Sequence, residues 1–141
     1  LIRRLNESLP LSVRILESKH LAERTPNIMK TVTASKYNVI VDFSADELSI
    51  DDILGKIKAE LAQNKPLVVM KRTKSATKET DIRPMIHSLD CEENENGFAS
   101  FTIVTAAGNL TNLRPELAIN ALCDVCGITC KIKCIHRLEL I

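Results

Sequence analysis

The sequence predicts an α+β domain in which two helices cover one face of an antiparallel sheet. Three observations carry that expectation. Apolar residues alternate along Tyr37–Phe43 and Phe98–Val104 with the period of half-buried strands. Two stretches, Ile50–Asn64 and Pro115–Cys126, carry apolar stripes at helical spacing. From Tyr37 onward the order reads strand, helix, strand, strand, helix, strand.

At 141 residues the chain is long enough to bury a core without disulfides or a metal. Hydrophobic residues make up 45% and charged residues 26%, an ordinary globular balance. The chain is therefore expected to be folded and soluble.

Leu1, Leu5 and Leu9 recur at helical spacing until Pro10 stops them, and Leu11, Val13 and Ile15 then alternate as one strand would. Thr25 and Pro26 are an N-cap and first-turn pair for a short helix to about Ala34. Tyr37, Val39, Val41 and Phe43 alternate as the next strand. Ser49 with Asp52 makes a capping box for the helix whose stripe is Ile50, Ile53, Leu54, Ile57 and Leu61, and Pro66 blocks its continuation. Leu67–Met70 is a short apolar run, followed by a polar, basic loop from Lys71 to Thr80. Ile82–Leu89 reads as extended, with Pro84 confining it to an edge or a bulge.

Glu92–Gly97 is a turn by composition, and Phe98–Val104 turns Ala99, Phe101 and Ile103 to one side. Pro115 opens the last helix, Ala118, Ala121, Leu122, Val125 and Cys126 form its stripe, and Gly127 stops it. Ile132, Cys134, Leu138 and Leu140 close the chain as a core-facing alternation. The economical packing for this order is a ferredoxin-like βαββαβ sandwich over residues 37–141. Residues 1–36 are expected to be the helix–strand remnant of a second similar unit plus a connecting helix. A start at Leu1 in place of Met adds the expectation that the chain is cut from something longer.

Composition also excludes several functions. A net charge of +1, from 19 basic and 18 acidic residues, is not that of a general polyanion binder, so any nucleic-acid contact must come from local clustering. The four aromatic residues, Tyr37, Phe43, Phe98 and Phe101, all sit in strand-like runs that draw them inward, which leaves no platform for stacking bases. No apolar run approaches the ~20 residues of a membrane span, and no signal-peptide pattern is present. Five cysteines, an odd number, read as reduced thiols of a cytoplasmic protein.

Lys78 and the run Asp81-Ile82-Arg83-Pro84-Met85-Ile86 stand out as a motif. With them go Leu5-Asn6 and Leu9-Pro10, the segment from Ala34 to Tyr37, Leu113-Arg114-Pro115-Glu116, and Ile135-His136-Arg137. Together these resemble the C-terminal part of a bacterial radical-SAM-linked family of unknown function, whose members are fused to or encoded beside cobalamin-binding radical SAM proteins. The resemblance implies a cytoplasmic accessory protein that presents RNA or a ribosomal component to a radical SAM partner.

Candidate sites follow from both readings. Lys71, Arg72, Lys74, Lys78 and Arg83, interleaved with Thr73, Ser75, Thr77 and Thr80, suit phosphate contacts that position a nucleic acid without reading its bases. The competing reading is a strand edge kept charged against aggregation. Asp81 and Arg83 fall on one side of a strand and are expected to hold the Pro84 bulge as a structural pair, though they could bind a ligand jointly. His87 has no nucleophile set beside it by a recognisable motif, and no catalytic residue is expected.

Cys123, Cys126, Cys130 and Cys134 form C-x2-C-x3-C-x3-C, a spacing that can hold zinc or an iron–sulfur cluster. Their places in helix and strand core stripes favour small buried hydrophobes instead, and neither metal nor cofactor is expected. His20 and His136 read as surface or internally satisfied residues. Two rivals remain beside the RNA-presenting accessory domain: a protein-interaction module docking on the radical SAM partner, and a small metal-binding protein.

Overall fold

The computed structural model describes residues 1–72, 74–94 and 97–141; Thr73 of the basic stretch and Glu95 and Asn96 of the expected acidic turn lie outside them. Along the chain come α1 (Ile2–Ser8), α2 (Ile28–Thr31), β1 (Ala34–Asp42) and α3 (Ile50–Ala62). There follow β2 (Val68–Arg72), β3 (Thr77–Asp81), a 3-10 turn (Arg83–Met85), β4 (Ile86–Glu93), β5 (Phe98–Ala106), α4 (Pro115–Cys126) and β6 (Lys131–Leu140). A four-stranded sheet has the order β4-β5-β1-β6 with every neighbour antiparallel, and β2 and β3 pair separately as a two-stranded ribbon. The fold is thus α+β with antiparallel sheets.

Both long helices share one core with a single sheet face. Ile53, Leu54 and Ile57 of α3 and Ala118, Ile119, Leu122 and Cys123 of α4 pack with Val39, Val41, Phe101 and Ile103. Phe43 meets Phe101 edge-on at 6.1 Å between ring centroids. Truncating a fully buried phenylalanine in such a core costs about 3–5 kcal/mol, which marks Phe101 as the anchor of the layer. The helix ends form where the side chains dictate. Ser49 accepts a hydrogen bond from the Asp52 amide at 3.3 Å, and Gly127, at φ 68°, lets its own N–H return to the last turn of α4.

The opposite sheet face is open and polar. Asn38 donates to Ser100 across it at 2.8 Å, and the register sets Thr102 between Asn38 and Asp90. Phe98 has the parity of Ser100 and Thr102 and is half-buried, so it does not enter the helix-side core with the other three rings. Among the described residues no helix is long and apolar enough to cross a membrane.

Several sequence expectations need correction. Residues 11–15 form no strand: Asn6 takes both the N–H and the C=O of Ile15, at 2.7 and 3.0 Å, the two groups a neighbouring strand would have paired. Leu11 and Leu16 are left in solvent, so of the expected helix–strand pair only the helix is present. The short helix starts at Asn27, whose side chain accepts from Met29, and not at Thr25, whose hydroxyl turns back to Ala22. The basic stretch is not a loop but the far end of the β2–β3 ribbon, and extended structure resumes at Ile86 because Pro84 sits inside the 3-10 turn.

Finally, Cys134 is exposed instead of facing the core. The register steps from Val41↔Ile132 to Ile40↔Cys134, so β6 advances two residues against one of β1 and the alternation flips.

Candidate functional site

The Asp-Ile-Arg-Pro segment is the hinge that ties the ribbon to the body. Ile82 and Leu67 are both buried at the ribbon's base, and the Ile82 amide donates to the Leu67 carbonyl at 2.9 Å. Asp81 Oδ1 accepts from the amides of Leu67 at 2.9 Å and Arg83 at 3.0 Å. The Arg83 guanidinium donates to the carbonyl of Leu61 at the end of α3, which also accepts the Asn64 amide at 3.3 Å. Asp81 and Arg83 therefore each bond backbone, with no ion pair between them among the described residues.

Beyond this hinge the ribbon carries its cations outward. Lys71 and Lys78 are direct cross-strand partners, and like charges facing one another across a ladder are destabilising. The Lys71 ammonium donates to the Asn112 carbonyl in the loop before α4. Arg72, one residue on, has the opposite parity and pairs in register with Thr77. Lys71, Arg72 and Lys74 nevertheless meet around one open depression of about 680 Å³, whose other wall is Asn112, Arg114, Glu116 and Asn120. Glu116 is the single acid there against four cations. Arg72, Lys74, Lys78 and Arg114 are exposed, and none has an ion-pair partner among the described residues. Lys78 and Arg83 do not line the depression.

A description of uncharacterized proteins conserved in bacteria, DUF2344, fits residues 1–115 of this sequence. The chain belongs to this family. No curated protein and no solved structure matches it. The DUF2344 match takes in the whole ribbon, the Asp81–Pro84 hinge and Arg114, and it ends on the first residue of α4. Arg137 and all the C-terminal cysteines lie beyond it.

Those cysteines do not converge on one centre among the described residues. The thiols of Cys123 and Cys130 are hydrogen-bonded; that bond and burial push Cys123 up, and the same bond pulls Cys130 down. Cys126 turns to the Lys56 carbonyl on α3, and Cys134 is on the open sheet face. No group of three or more His, Cys, Asp or Glu among the described residues is placed to hold a metal ion. His20, His87 and His136 are all exposed and on separate parts of the chain.

Arg114 and Asn112 were not among the residues that the sequence pointed to as phosphate contacts. The only signal for Arg114 was the Leu113-Arg114-Pro115-Glu116 segment, and Asn112 had none. Three separated segments, Ala34–Tyr37, Leu113–Glu116 and Ile135–Arg137, contribute Ser35, Tyr37, Leu113, Arg114 and Arg137 to one pocket beside the depression.

Proposed function

We propose that this DUF2344 chain is a non-catalytic RNA-binding accessory domain, acting in the cytoplasm to present RNA or a ribosomal component to a radical SAM partner. One observation carries it: four cations, Lys71, Arg72, Lys74 and Arg114, surround a single depression with one acid, while Lys78 stands in register opposite Lys71. A ladder position that tolerates facing lysines gains little stability from them, and an RNA backbone is the ligand that would neutralise both. The open sheet face offers no row of exposed rings, so contacts fall on phosphates and not on bases. The accompanying fold reading is a ferredoxin-like sandwich; supporting it are the antiparallel order β4-β5-β1-β6 and the two helices in one core, with the ribbon as an insertion between α3 and β4. The partner comes from the sequence resemblance alone.

The test is RNA binding by fluorescence anisotropy across a salt series. Replacing Lys71, Arg72, Lys74 and Lys78 together by Glu should weaken binding at least tenfold. It should also flatten the log–log salt slope by about 3, at roughly 0.7 per lost single-strand phosphate contact. An unchanged slope in a variant with native circular dichroism sinks the proposal.

A second reading has its own support. Strand β6 is an edge with Ile135, Leu138 and Leu140 41–49% exposed, a surface on which a partner protein could add a strand. Co-purification with the radical SAM partner that survives nuclease and moderate salt, and is lost with Ile135→Glu, would favour it.

A further inference from the structure

The pocket beside the depression has features that the hinge and ribbon do not explain. Its volume is about 370 Å³, and its outer wall is the one-turn helix α2 with Ile28, Met29 and Val32. Its floor is the end of the sheet, where Ser35, Tyr37, Arg137 and Leu140 share the helix-side face. Two register shifts in the β1–β6 ladder put Arg137 opposite Tyr37 and Leu140 opposite Ser35, although the pair is three residues apart.

Ser35 is 1% exposed and its hydroxyl has no hydrogen-bond partner. The same holds for Thr105, its register partner on β5, at 0%. A buried hydroxyl left unpaired is costly, and such exceptions call for a specific cause. Two arginines, Arg114 and Arg137, line the same pocket as Ser35, neither with an ion-pair partner among the described residues, and no carboxylate lines it. An anion fits this set: it gives each guanidinium a partner and gives the Ser35 hydroxyl an acceptor.

We infer that this pocket holds a phosphate ester the size of one nucleotide, bound through Arg114, Arg137 and Ser35 with its apolar part against α2. The volume is within the ~300–1,000 Å³ range of small-molecule sites. Three donors match the several oxygens of a phosphate, and Met29, Val32 and Leu140 offer an apolar wall for the rest. The choice of a nucleotide rests on the RNA reading above: Asn112 and Arg114 line both the pocket and the cationic depression, so one nucleotide of a bound strand, or its phosphorylated end, can enter from there.

Calorimetric titration of the full chain with inorganic phosphate, adenosine 5′-monophosphate and uridine 5′-monophosphate tests this directly. Saturable binding of the monophosphates is expected, tighter than that of inorganic phosphate. Arg137→Gln, on an exposed edge strand, should weaken it about tenfold or more by removing a charge-assisted hydrogen bond. Ser35→Ala should weaken it roughly three- to tenfold while leaving the melting temperature unchanged or higher, because the hydroxyl is unpaired in the free protein. An RNA oligonucleotide that binds more tightly with a 5′-phosphate than without assigns the occupant to a strand end. Equal binding of the two, with competition by free monophosphate, assigns it to an internal nucleotide or a free one.

Absence of saturable monophosphate binding overturns the inference, as does binding that both variants leave unchanged. A Ser35→Ala protein that melts lower with unaltered affinity also overturns it. An unaltered chain that binds the monophosphates but no RNA leaves the pocket standing and removes the ribbon reading instead.

Discussion

Asp81→Ala separates a structural motif from a ligand site. The Asp81 carboxylate takes two backbone amides, Leu67 at 2.9 Å and Arg83 at 3.0 Å. Leu67 is 4% exposed, so its amide finds no water once the carboxylate is gone and bears the full penalty of an unmet donor, about 1–2 kcal/mol. The Arg83 amide lies in a half-buried turn and loses less, a few tenths to about 1 kcal/mol. The total is about 2 kcal/mol, which for a domain of this size lowers the melting temperature by roughly 6–8 °C. Asp81→Asn retains an oxygen acceptor and should lose about half as much. Urea unfolding gives the stability, and RNA anisotropy at fixed salt gives the function. The expected pair of results is a lower denaturation midpoint with RNA affinity within about twofold where the variant is still folded. Stability within ~0.5 kcal/mol of the parent together with a collapse of RNA binding would refute the hinge reasoning and make Asp81 a ligand residue.

Asp46 accepts from the amides of Leu48 and of Thr129, which ties the loop before α3 to the loop before β6 and holds its carboxyl below the usual range. Because the folded pKa is depressed, this stabilisation is complete above the ordinary 3.8 and is lost as pH falls through the folded value; the melting-temperature gap between Asp46→Ala and the parent should be open at pH 7 and narrow progressively as pH falls below 3.8. A thiol reagent followed by peptide mapping should label exposed Cys134 first. Cys130, lowered by its bond to Cys123, should react ahead of Cys126, and buried, raised Cys123 last; early labelling of Cys123 contradicts the thiol pairing. Gly108 has φ +145°, and a Cβ there would sit 2.6 Å from the Val32 carbonyl oxygen, so Gly108→Ala should cost more than ~1 kcal/mol by urea unfolding.

The helices were legible because their ends are written in side chains that act locally. Ser49 and Asp52 start α3, Pro115 and Gly127 bound α4, and each does so without help from distant residues. The strands β1 and β5 were legible through alternation because they are paired on both sides, and Val39 and Phe101 are turned inward from both directions. The strand expected at Leu11–Ile15 failed for the opposite reason. Alternation states only that one face could be buried, and here a single asparagine side chain, Asn6, occupies the backbone groups of Ile15 before any ladder can.

The site was less legible because cross-strand register and bulges have no short sequence signature. Lys71 and Lys78 are seven apart, and they oppose one another only because the ribbon pairs Arg72 with Thr77. Strand β6 carries this further. Strict alternation puts Ile132, Cys134, Leu138 and Leu140 on one face, whereas two register shifts expel Cys134 and bring Arg137 and Leu140 to the face that already holds Ile132 and Ile135. The edge position of β6 permits the shifts, since its outer side has no ladder to break. A regular β6 would turn one of Arg137 and Leu140 away from the face that holds Ser35. The bulges thus let Arg137 and Leu140, three residues apart, share the face that holds the buried Ser35 hydroxyl.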